Sequence, residues 1–123
     1  MIGDTATVHT TVDQTNTAQA VGSGSLPVFA TPMVIALMER AACEAIVNEL
    51  APGQSSVGTE INVAHTAASP VGAQVSATAT VTQAKGRQVQ FELIAHCGEQ
   101  EIGRGTHTRF IIDAERFMAK ISG

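Results

Sequence analysis

Apolar and polar positions divide this chain into one helical stretch and a succession of alternating ones. Residues 31 to 50 (TPMVIALMERAACEAIVNEL) are apolar for most of their length, and Arg40, Glu44 and Asn48 recur at every fourth position as a single polar stripe. This pattern predicts an amphipathic helix with the stripe in water. Pro32 suits its first turn, where the missing N–H costs nothing, and Leu50-Ala51-Pro52-Gly53 stops it. Ahead of the helix, TATVHTTV (5 to 12) has the Thr and Val content of a strand, and VGSGSLP (21 to 27) reads as a loop.

Beyond the helix the period changes to two. SSVGTEINVAHTAA (55 to 68) sets Val57, Thr59, Ile61, Val63 and His65 on one face and Gly58, Glu60, Asn62 and Ala64 on the other. A strand near 72 to 84 sets Val75, Ala77, Ala79 and Val81 against Ser76, Thr78, Thr80 and Thr82, and KGR (85 to 87) supplies the turn. Next, Val89, Phe91, Leu93, Ala95 and Cys97 alternate with Gln88, Gln90, Glu92 and His96. After a turn at 98 to 100, EIGRGTHTRFII runs as a fifth strand to Asp113. One long helix followed by four consecutive meander strands predicts an α+β fold, an antiparallel sheet wrapped around that helix.

At 123 residues the chain is expected to form a single domain. A net charge of −4, no Trp or Tyr and only four Phe argue against a nucleic-acid partner. The longest apolar runs fall short of a membrane span and MIGDTATVHTTVDQ has no signal-peptide pattern, so no membrane partner and a cytoplasmic location are expected. Cys43 and Cys97 lack metal-ligand spacing and sit in apolar patterns, which predicts free, buried thiols; no metal and no cofactor are expected.

Glu39 stands out chemically. At about 100° per residue it falls off the polar stripe, among Ile35, Ala42, Cys43 and Ile46, on the face that should be buried. An unpaired carboxylate there is costly, so a partner or a raised pKa is expected. His65 lies on the apolar face of its strand, and a Glu and His within reach make an acid/base pair. Thr31 stands at the helix N-terminus, where its hydroxyl can cap the helix or meet a ligand near free N–H donors. A lone buried His is more often a structural histidine than a catalyst, and Thr before Pro is usually only an N-cap. Taken alone, the residues end at a small-molecule site. Gly103-Arg104-Gly105 lies inside a strand, which favours close sheet packing over a phosphate loop. His9, His96 and His107 read as solvated or hydrogen-bonded, Lys85 and Arg87 as turn charges, and Met33 and Met38 as core fillers.

The order β-α-β-β-β-β is that of a hot-dog fold. VFATPMVIALME (28 to 39), VGTEINVAHTAASPVG (57 to 72) and EIGRGTHTR (101 to 109) together resemble the fluoroacetyl-CoA thioesterase group of hot-dog proteins, in register over roughly residues 28 to 120. The resemblance implies a catalytic set of Thr31, Glu39 and His65, with Gly58 and Arg109 binding substrate. It also implies a homodimer or higher homo-oligomer with sheets paired edge to edge and active sites at the subunit interface. Where the fluoroacetyl-specific enzyme has an aromatic-bearing lid this chain has VGSGSLP, and Phe29 is the first aromatic, bounding the acyl pocket. The implied activity is therefore hydrolysis of a short or unidentified acyl-CoA. Glu39 either attacks directly or acts through water or Thr31, with His65 moving protons. A non-catalytic acyl-CoA-binding module is the alternative.

Overall fold

The computed structural model describes residues 1–123. Its elements are β1 (Thr5–Thr11), α1 (Ala18–Val21), α2 (Thr31–Ile46, continued by a 3-10 turn over Val47–Glu49), β2 (Gln54–His65), β3 (Gln74–Lys85), β4 (Gln88–Cys97), β5 (Gln100–Asp113) and α3 (Ala114–Ser122). The five strands form one antiparallel sheet in the order β1-β3-β4-β5-β2. The sheet packs on α2, as expected.

The helix buries Val34, Leu37, Met38, Ala41, Ala42 and Ile46. Against them lie Val75, Ala77, Ala79 and Val81 of β3, and Val89, Phe91, Leu93 and Ala95 of β4, all buried and all on the faces that the alternation assigns inward. Alanines on both sides of this contact let the helix backbone approach the sheet, while Phe91, Met38 and Ile46 fill the volume between.

Several expectations are corrected. β2 is not the first strand of a meander: it crosses to the far edge and pairs with β5, not β3. β5 accepts it closely because a Cβ on Gly105 would run into the Asn62 carbonyl and lie 2.8 Å from Val63 Cα. The glycines of GRG thus serve sheet packing, as their position within a strand suggests. The register also slips between Gly58 and Glu60, where Thr59 is an extra residue. That bulge brings Gly58 to the same face as Ile61, Val63 and His65, whereas strict alternation puts it on the opposite one.

Two short helices escape the periodicity analysis. In α1, Thr17 Oγ1 accepts from Ala20 N at 3.2 Å and Gly22 closes the turn at φ 81. In α3 no residue is fully buried. Cys43 and Cys97 are free, but Cys43 is exposed because it lies on the helix flank that no strand covers. No helix is long and apolar enough to cross a membrane.

Candidate active site

Thr31, Ile35, Glu39 and Cys43 follow one another at four-residue spacing and form a row on the flank of α2. Thr31 and Cys43 are exposed and Ile35 and Glu39 half-buried, so this row borders the core instead of entering it. The reason is topological, since β2 is the outermost strand and nothing in the chain covers the row beyond it. Glu39 accordingly keeps 41% of its side chain exposed, which corrects the expectation of a buried carboxylate.

At the start of the row the Thr31 hydroxyl and His65 Nδ1 hydrogen-bond at 2.8 Å. Thr31 is not the N-cap. Ala30 holds that place with no side-chain bond, and Thr31 is already helical, leaving its hydroxyl free for the imidazole. His65 comes from the last residue of β2, and its other nitrogen, Nε2, is buried without a partner. A buried ring nitrogen lacking its bond is a position where a bound group would complete the geometry.

Two turns along, a second cluster gathers around Gly58. Arg109 Nη1 donates to Glu39 Oε2 at 3.2 Å, Nε donates to Ser56 Oγ at 2.9 Å, and Nη2 donates to the Ser56 carbonyl at 3.0 Å. Arg109 is only 7% exposed, so Glu39 satisfies a buried guanidinium. His107 Nε2 stands 3.8 Å from the same carboxylate oxygen. Gly58 is required here because a Cβ would lie 2.7 Å from Glu39 Oε2, 3.1 Å from His107 Cε1 and 3.2 Å from Arg109 Nη1. Glu39, Gly58, Thr59, Glu60, Ile61 and His107 line an open cavity of about 250 Å³.

The expected Glu39–His65 pair does not form within the chain: Glu39 bonds Arg109 and His65 bonds Thr31. Thr31 and Glu39 are eight residues apart on one helix, about 12 Å at 1.5 Å per residue, and that separation keeps the two clusters distinct. Phe29 is buried in another place. With Thr10, Asn16, Met33, Leu37 and Arg40 it lines a cavity of about 180 Å³ that shares no residue with the Glu39 cavity. His107 is the residue that sequence reading missed. Its inward phase, two positions before Arg109 on the same strand face, was the available signal.

Comparison with known proteins identifies the family. The family model described as fluoroacetyl-CoA-specific thioesterase matches residues 12–115. A curated fluoroacetyl-CoA thioesterase of Streptantibioticus cattleyicolor is 46% identical over 94 residues, covering 76% of this chain and 68% of that protein. A crystal structure of the fluoroacetyl-CoA thioesterase FlK superposes with a TM-score of 0.92 at 38% identity, over 99% of this chain and 95% of that one. A thioesterase-superfamily protein of Thermus thermophilus, 24% identical, shares the fold at a TM-score of 0.91 over 99% of this chain and 90% of its own. With a five-stranded antiparallel sheet on one long helix and a family match across most of its length, the chain belongs to the fluoroacetyl-CoA-specific thioesterase family of hot-dog proteins.

Proposed function

We propose that the protein hydrolyses short acyl-CoA thioesters in the cytoplasm as a homodimer whose two sites each draw on both subunits. The observation that carries this reading is the separation of the Thr31–His65 and Glu39–Arg109 clusters on one helix flank beside an unpaired sheet edge. A free β2 edge presents a row of unpaired backbone groups that a second copy satisfies. With the Thr59 bulge counted, antiparallel pairing of two β2 edges centred on Asn62 sets Gly58 of one protomer level with His65 of the partner subunit and on the same face. One protomer then supplies Glu39 and Arg109, the other Thr31 and His65.

In such a site the thioester carbonyl faces the N-terminus of α2, whose free N–H groups and dipole favour the developing oxyanion. Glu39 acts on the carbonyl carbon directly or through a water, and His65, oriented by Thr31, moves the proton. The thiolate of CoA leaves and the acyl group departs as its acid. Single-turnover hydrolysis in water of heavy-isotope oxygen tests the direct route: label in the Glu39 carboxylate marks a mixed anhydride opened at the Glu39 carbonyl carbon, whereas an anhydride opened at the acyl carbon and direct attack by water both place the label in the product acid alone.

Glu39→Gln should fold normally and lose about 10² to 10⁴-fold in kcat, measured by thiol release. Retained turnover would take Glu39 out of the mechanism, whereas acyl-CoA binding without thiol release by the unsubstituted protein would favour the binding-module alternative. Mixing inactive Glu39→Gln protein with inactive Thr31→Ala/His65→Ala protein should restore activity, because a mixed dimer holds one intact site. No recovery from dimers shown to exchange subunits would exclude the shared site.

Residues 21–27, from the end of α1 to Pro27, carry no aromatic side chain and are exposed. Selectivity between fluoroacetyl- and acetyl-CoA should therefore stay within the roughly 10 to 200-fold that a small apolar difference supplies. A preference above about 10³-fold in kcat/KM would overturn that expectation.

A further inference from the structure

Building on the proposed thioesterase site, we infer that His107 is a positioning residue, a neutral hydrogen-bond acceptor that holds the Arg109 guanidinium at the angle from which it meets Glu39. The tautomer follows from the partners. His107 Nδ1 lies 2.7 Å from the Glu60 carbonyl oxygen, which can only accept, so Nδ1 carries the hydrogen. Nε2 lies 3.2 Å from Arg109 Nη1, and a guanidinium can only donate, so Nε2 is bare. Both contacts are satisfied at once by one uncharged imidazole.

The ring is fixed on its remaining sides. It is 3% exposed and stacks on Phe91 with centroids 5.8 Å apart. Burial and the nearby Arg109 charge hold its pKa below the ordinary histidine value, against the opposing pull of the Glu60 carbonyl and the Glu39 carboxylate. Those groups, with Arg109, are the polar and charged neighbours it faces, and a proton on Nε2 would meet the guanidinium head on.

The consequence concerns Glu39. Arg109 Nη1 has two hydrogens, one directed to His107 and one to Glu39. Ser56 occupies Nε and Nη2, so the guanidinium plane is set by β2 and its rotation by His107. Without the Nε2 acceptor, the Nη1 hydrogen that met His107 is left without a partner, and the Glu39 carboxylate can shift toward it, out of line with a substrate.

Three substitutions separate the atoms. Asn places its amide near Nδ1, Gln places its amide near Nε2, and Phe keeps the stack on Phe91 with neither. His107→Asn and His107→Phe should lower kcat/KM for acetyl-CoA at least tenfold, chiefly in kcat, while His107→Gln retains it within about threefold; equal activity in all three overturns the inference. The second arm needs no turnover. Imidazole nitrogen NMR of the dimer should give a bare Nε2 and a protonated Nδ1 at neutral pH, and a protonated Nε2 overturns the inference whatever the enzyme hydrolyses. If no thioester is turned over but the tautomer is as stated, the proposed activity fails and the positioning of Arg109 stands.

Discussion

At the residue scale the helix flank explains why three polar side chains sit beside an otherwise apolar core. Glu39 tolerates its place because it is half in water and paired to Arg109, which spares it the full cost of burying a charge. Thr31 gives the cleanest test of the other half of the site. Since Ala30 is the N-cap, Thr31→Ala removes no cap, and the stability lost should not exceed the roughly 0.5–1.5 kcal/mol of the one hydrogen bond to His65. The loss falls on His65, whose ring is no longer held at Nδ1. One such hydrogen bond is worth about 0.5–1.5 kcal/mol, so kcat should fall up to about tenfold, with Thr31→Ser recovering it. Equal rates for the Ser and Ala variants would show that the hydroxyl does not orient the imidazole.

At the scale of elements, β2 and β5 carry two glycines with opposite demands. A Cβ at Gly58 meets the end of the Glu39 side chain, which can swing away, whereas a Cβ at Gly105 meets the backbone of Asn62 and Val63, which cannot. Gly58→Ala should therefore lose less thermal stability than Gly105→Ala but lose catalysis, by about 10²-fold for a displacement near 1 Å. Gly105→Ala should lose about 1–3 kcal/mol by denaturant unfolding as β2 is pushed off β5. The reverse outcome, a stable Gly105 variant and an unstable Gly58 variant, would contradict this description of the β2–β5 contact.

For the whole molecule, pH acts first through His107. Its pKa is lowered on folding, so the unfolded chain binds the proton more readily, and stability should be full above about 6.5 and fall as pH drops below it. Asp13 and Glu101, also lowered by their hydrogen bonds to Thr15 and Arg104, add a further loss only below about 4.5. Denaturant unfolding at several pH values should show the first decline in the native protein and not in His107→Gln. Equal pH dependence in both would remove His107 from the linkage. The free β2 edge gives the second test at this scale: light scattering should find twice the 12.7 kDa chain mass at micromolar concentration, and a monomer would remove the shared site.

The local pattern determined the elements with few errors, because burial on one face writes a period of two into strands and of about 3.6 into helices. It placed the α2 helix, the buried faces of β3 and β4 and the polar residues worth attention. Three motifs carried the family, and Thr31, Glu39, His65, Gly58 and Arg109 all stand along the α2–β2–β5 edge. What the sequence left open are distances between elements. Whether Glu39 meets His65 or Arg109 depends on the pairing of β2 with β5 and on the Thr59 bulge, neither of which has a periodic signature. His107 looked like any strand histidine until Glu60 and Arg109, brought to it from across the sheet and along the strand, fixed its tautomer. Periodicity records which way a side chain points; only the packed sheet decides what it points at.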